Sequence, residues 1–142
     1  MSQIGDLVRE HYEGFNTGDI DRATAGFSND IVTVVPGSEM RGREAFKQYL
    51  VTFSNAMPDA RLIVKATIES GSMLAIEGSF TGTHTGPLQS PQGEVPPTGR
   101  TIDLPYVDIF ESGGEKLTGH RVYWDQVAFL TALGLMPEPS PS

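Results

Sequence analysis

Residues 100–125 read RTIDLPYVDIFESGGEKLTGHRVYWD, and the way this stretch turns back on itself decides the architecture of the chain. Two segments rich in β-branched and aromatic residues, Arg100 to Phe110 and Glu115 to Asp125, flank Ser112-Gly113-Gly114, the pattern of two strands joined by a hairpin. With Gly113 and Gly114 at the tip, Ile102 opposes Asp125, Leu104 opposes Tyr123, Tyr106 opposes Arg121 and Asp108 opposes Gly119. Side chains alternate along a strand, so these residues share one face. That face is apolar at Ile102, Leu104, Tyr106 and Tyr123 yet carries Asp108, Arg121 and Asp125, as the wall of a ligand pocket would. His120, Val122, Trp124, Pro105 and Val107 then fall on the opposite face, which suits a subunit interface.

Polar chemistry is concentrated in Gly119 to Asp125. A carboxylate ending a buried strand must be paired, hydrogen-bonded or shifted in pKa, because a dry unpaired charge is costly. Asp125 has two readings. It is either an acid/base residue or the N-cap of a helix starting at Gln126. Arg121 with Asp108 reads first as a structural ion pair.

Outward from the hairpin, Ser72 to His84 and Arg61 to Glu69 read as two further strands divided by Ser70-Gly71. At the N-terminus Ile4, Leu7, Val8, His11, Tyr12 and Phe15 keep helical spacing, with Ser2 as cap and an inner face ending in aromatic rings. Asn16-Thr17-Gly18-Asp19 stops this helix and starts a short second one to about Phe27. Ile31 to Val35 is a β-branched strand, and Phe46, Tyr49, Leu50 and Phe53 mark a third helix to about Asn55, before Pro58. Gln126 to Leu133 closes the chain as a short helix ending at Gly134. This order predicts an α+β fold: a strongly curved, mainly antiparallel sheet with helices on one side, enclosing a concave interior. Residues 1–136 form one domain, and the Pro/Ser-rich tail 137–142 is expected to be disordered.

The 142 residues suffice for one core without staples, and the absence of cysteine excludes disulfides and thiolate sites. A net charge of −8 with scattered basic residues speaks against nucleic acid. No leader or membrane-length apolar run is present, so a cytoplasmic, membrane-free protein is expected. His11, His84 and His120 are not spaced as a metal pair, and no metal is expected. Tyr12, Phe15, Tyr49, Phe53 and Tyr106 either line a pocket or pack as core, and Trp124 shares that ambiguity. His84 stands where a strand enters a loop and faces ligand or solvent. The segment Thr85 to Gly99 has no period and contains Pro87, Pro91, Pro96 and Pro97, so it reads as a loop, either a lid over the mouth of the interior or a dimer arm.

Glu77 to Leu88 (EGSFTGTHTGPL), Pro96-Pro97-Thr98-Gly99-Arg100, Lys116 to Asp125 and the leucine-rich ending to Gly134 resemble the SnoaL-like polyketide cyclase, or ester cyclase, group of the NTF2-like superfamily. Phe15 to Asp19 resembles the exit of that superfamily's first helix. The resemblance implies a cone-shaped α+β fold, a homodimer packed through the sheet and a deep pocket for a small apolar molecule. It also implies an aspartate on the last strand, matched by Asp125, that serves as acid/base for an intramolecular aldol ring closure of a polyketide ester without metal or cofactor. His120 matches a histidine frequent in the same strand and is the second candidate catalytic residue, although the hairpin register puts it on the other face. Tyr12, Phe15, Phe53, His84, Tyr106, Asp108 and Arg121 are the candidate substrate-binding residues.

Two other functions stand beside this one. Tyr123-Trp124-Asp125 resembles the end of the limonene-epoxide-hydrolase group, whose Asp-Arg-Asp arrangement would here be Asp108, Arg121 and Asp125, but its Arg-x-Asp spacing is absent because two residues, not one, separate Arg100 from Asp103. The third is a non-catalytic dimer that binds an apolar ligand, since one fold hosts many roles.

Overall fold

The computed structural model describes residues 2–90 and 93–136, so the expected disordered tail, 137–142, lies outside the described residues. Helix α1 (Gln3–Asn16) begins where the Ser2 hydroxyl accepts the Gly5 amide at 3.0 Å. Its stripe of Ile4, Val8, His11, Tyr12 and Phe15 is buried. Gly18, at φ 79°, makes the left-handed turn that the chain needs before Asp19 caps α2 (Ile20–Thr24). Strands β1 (Phe27–Val35) and β2 (Ser38–Arg41) form a hairpin, followed by α3 (Arg43–Ala56). The long strands β3 (Arg61–Ser70) and β4 (Met73–Thr83) come next. A small hairpin of β5 (Leu88–Ser90) and β6 (Gly93–Val95) precedes β7 (Thr101–Ser112), β8 (Leu117–Trp124) and α4 (Gln126–Ala132).

Among the described residues six strands form one curved sheet in the order β2-β1-β8-β7-β4-β3. All neighbours are antiparallel except β1 and β8, which run parallel and bring the first and last strands together. Irregularities between Val64 and Ala66 and between Phe27 and Val32 bend the strands they interrupt. Helices α1 and α3 pack on the inner face, and α1 touches β3, β4 and β7. Fully buried Phe27, Ile31, Phe110 and Leu117 lie at the centre of the main core. A second cluster of Ala56, Met57, Leu88, Ile102, Phe129 and Leu133 closes one end.

Three sequence expectations change. The second helix stops at Thr24, and β1 starts at Phe27 because that ring is drawn into the core. The segment Thr85 to Gly99 is not an unpatterned loop: it carries the β5–β6 hairpin, whose Leu88 is buried in the second cluster. The third change is the register of the β7–β8 hairpin. Tyr106 faces Trp124, Asp108 faces Val122 and Phe110 faces His120, so β8 is displaced by three residues from the expected pairing. The turn is centred later than Gly113-Gly114, with the Gly113 amide donating to Lys116 O at 3.0 Å and Gly114 at φ 107°. A register shift between Glu111 and Ser112, where Glu111 faces Gly119 and Ser112 faces Leu117, leaves Thr118 unpaired as a bulge. An odd displacement exchanges the faces of β8: His120, Val122 and Trp124 turn inward beside Tyr106 and Asp108, while Arg121 and Tyr123 turn outward.

Candidate functional site

The inward faces of α1, β7 and β8 bring four polar side chains together inside the apolar core. Asp108 is only 4% exposed, and both of its oxygens are occupied. The Tyr12 hydroxyl donates to Oδ2, and His120 Nε2 lies 3.0 Å from Oδ1. The Tyr106 hydroxyl in turn donates to Tyr12 Oη at 2.9 Å. Burial first, then the charge of Asp108, holds the Tyr12 phenol well above its ordinary pKa, so it remains a donor. Burial also pushes Tyr106 and Tyr49 up. The His120 ring stacks on Phe110 with centroids 4.4 Å apart, and its Nδ1 is buried without a hydrogen-bond partner. Gly78 makes the arrangement possible, since a Cβ there would lie 2.8 Å from Tyr106 Oη and 2.3 Å from Ile63 O.

Asp108, Tyr106 and His120 border a cavity of about 100 Å³ with His11. The rest of its lining is apolar or aromatic and includes Phe46, Tyr49, Phe53, Phe80, Leu104, Val122, Trp124 and Phe129. His11 is 3% exposed and donates Nδ1–H to Ala23 O at 2.8 Å. Burial, assisted by the nearby His120, drives its pKa down to about 4, against weaker upward pulls from Asp108 and Ala23. His11 is therefore a neutral imidazole with the proton on Nδ1.

The sequence-predicted residues divide accordingly. Phe53, Tyr106, Asp108 and His120 line the cavity, and Tyr12 reaches it through Asp108. Phe15 is core, packed against Phe80 at 6.4 Å, and does not line the cavity. His84 is fully buried away from the lining, with Nδ1 3.0 Å from Thr98 Oγ1, because it pins the chain on either side of the β5–β6 hairpin. Arg121 lies on the outer face of the sheet beside Glu111 at 3.6 Å and makes no ion pair with Asp108. Asp125 is exposed and accepts the Ala128 amide at 3.0 Å as N-cap of α4, because the strand ends at Trp124 before that carboxylate can enter the interior. The grouping of Asp108, Arg121 and Asp125 is thus not formed. His11 is the polar cavity residue missed from sequence; its place on the aromatic end of the α1 stripe was the only signal.

A curved sheet closed by helices around an apolar cavity, with a buried Tyr–Asp–His set at its polar end, is a fold of the NTF2-like class. Residues 5–133 match the model of the SnoaL-like polyketide cyclases, and the chain belongs to that family. Among solved structures it is similar to a SnoaL-like protein from a Jannaschia species (20% identity, 95% of this chain and 94% of that one, TM-score 0.82). It is also similar to IdmH of Streptomyces antibioticus, a proposed polyketide cyclase (24%, 94% and 99%, 0.76). A third is TerC, co-crystallised with polyporic acid (23%, 94% and 99%, 0.75). No curated protein sequence matches the chain.

Proposed function

We propose that the protein is a cofactor-independent acid/base enzyme that closes a ring in a small apolar polyketide-type carbonyl compound, with His120 as the base and Asp108 as its orienting partner. The observation that carries this reading is the pair itself. His120 Nε2 is held 3.0 Å from a buried carboxylate, and Nδ1 is left without a partner on a residue that lines the cavity. A base aligned by a carboxylate through its far nitrogen is a recurrent catalytic arrangement. In the proposed reaction, His120 Nδ1 takes the proton from a carbon between two carbonyls. The resulting carbanion attacks a second carbonyl of the same molecule, forming the C–C bond, and the imidazolium returns its proton to the new alkoxide. Asp108 stabilises the transient imidazolium, while Tyr12 and Tyr106 keep the carboxylate in place. The substrate delocalises its own enolate charge, and the cavity supplies proximity.

The outer sheet face, with Tyr123 50% exposed beside Val107 and Ile109, supports a homodimer packed through the sheet. Among the described residues no helix is long and apolar enough to cross a membrane.

The test is turnover of aromatic β-ketoesters, with ring closure followed by mass spectrometry and folding checked by circular dichroism. His120→Gln and Asp108→Asn are expected to lower the rate about 10²–10⁴-fold. Asp125→Ala is expected to keep the rate and lose about 1 kcal/mol of stability as a lost helix cap. Wild-type turnover in folded His120→Gln, or its loss in folded Asp125→Ala, would sink the assignment.

A further inference from the structure

The polar groups around the cavity sort unevenly into donors and acceptors. Tyr106 spends its proton on Tyr12, and Tyr12 spends its own on Asp108. With Asp108 as the carboxylate, His120 spends Nε2–H on it. The Trp124 indole N–H is committed to Gln126 Oε1 at 2.8 Å. His11 spends Nδ1–H on Ala23 O at 2.8 Å, which fixes its tautomer and leaves Nε2 as a lone pair. His120 Nδ1, buried and unpartnered, is a second lone pair, and the two imidazole centroids are 6.1 Å apart. The Tyr49 hydroxyl acts either way. The vacant hydrogen-bonding positions are therefore mainly acceptors, set in an aromatic enclosure that favours a flat apolar ring. A ligand offering only carbonyl or ether oxygens finds a single donor, the Tyr49 hydroxyl, and leaves both imidazole lone pairs unpaired. A ligand carrying a hydroxyl donor satisfies the site.

We infer that the cavity selects planar apolar ring compounds presenting an enol or phenol hydroxyl, and that His11 Nε2 is the acceptor that reads it. His11 is then a specificity residue, and its bond to Ala23 is what aims the lone pair. The extension from ligand to substrate rests on the acid/base reading above: a 1,3-dicarbonyl compound in its enol form is such a donor. His11 would hold that form, the tautomer of the carbon acid that His120 deprotonates, and loss of the proton from either tautomer gives the same enolate.

Trp124, the only tryptophan in the chain, lines the cavity, so its single indole N–H resonance reports occupancy. Titration with 2-naphthol and with 2-methoxynaphthalene compares a donor with its capped analogue. The wild-type protein is expected to bind 2-naphthol at least about tenfold more tightly, the scale of one buried group left unpaired. In His11→Phe, which keeps a ring in place but removes the acceptor, the two affinities should converge. Equal binding of both probes by the wild type, no shift with 2-naphthol, or a full preference surviving in His11→Phe overturns the inference. Should His11→Phe fail to fold, His11→Leu, which also lacks the acceptor, takes its place with the same expectation. Failure here with wild-type ring closure intact removes this inference alone. A normal naphthol preference with no effect of His120→Gln on turnover removes the acid/base reading instead.

Discussion

His11 illustrates how a single buried group links the site to the stability of the fold. Its folded-state pKa lies near 4 against an ordinary value of 6.5, with burial the main cause and His120 the second. Between those values the unfolded chain holds a proton that the folded chain refuses. The stability tied to His11 is therefore fully present above about pH 6.5 and is lost as the pH falls toward 4. The loss is on the order of 3 kcal/mol over that window. Urea unfolding of the wild type and His11→Phe between pH 7 and 4.5 checks this, the variant being expected to show the shallower decline. Carboxylates elsewhere titrate in both proteins and cancel in the comparison. At this same scale the sequence was legible for Tyr106, Asp108 and His120 as chemical candidates. Asp125 was also legible as the helix cap it proves to be, since Asp before a short helix is a favoured cap. His11 was not, because a histidine on a helical stripe looks like any other core position until the packing shows which nitrogen is spent.

Elements were read more securely than the contacts between them. The long strands, α1, α3 and α4 follow from periodicity and caps close to their observed bounds. The register of β7 against β8 did not follow, because two glycines in a row do not reveal where a turn is centred, and a bulge at Thr118 leaves no compositional mark. The β5–β6 hairpin was hidden by its prolines and by strands of only three residues. Gly78 on β4 matters at the level of the sheet. Gly78→Ala would place a methyl 2.3 Å from Ile63 O and 2.8 Å from Tyr106 Oη, so either β3 or Tyr106 must move. A loss of about 1–3 kcal/mol is expected in chemical unfolding, together with reduced ring closure, as overpacking displaces the tyrosine that supports Tyr12. An unchanged unfolding midpoint would show that β3, an edge strand, yields without cost.

For the molecule as a whole, the proposed chemistry and the proposed partner surface lie on opposite sides of one sheet. Tyr123, Val107 and Ile109 point away from the cavity that Tyr106, Asp108 and His120 enter. Sedimentation should give a dimer for the wild type and a shift toward monomer for Tyr123→Glu, with the cavity and its ligand preference retained. A wild-type monomer at all concentrations would remove the dimer from the proposal. The sign of the net charge, −8, was legible at once and keeps nucleic acid from the list of expected partners. The division of labour between the two faces has a consequence for how such chains diversify. Because the bulge at Thr118 sets the phase of β8, gaining or losing one residue between Gly113 and Gly119 trades the strand's entire inside for its outside. A chain identical to this one outside the tip but one residue longer or shorter within it would turn the other face of β8 to the cavity, so the length of the turn helps to decide what the cavity holds.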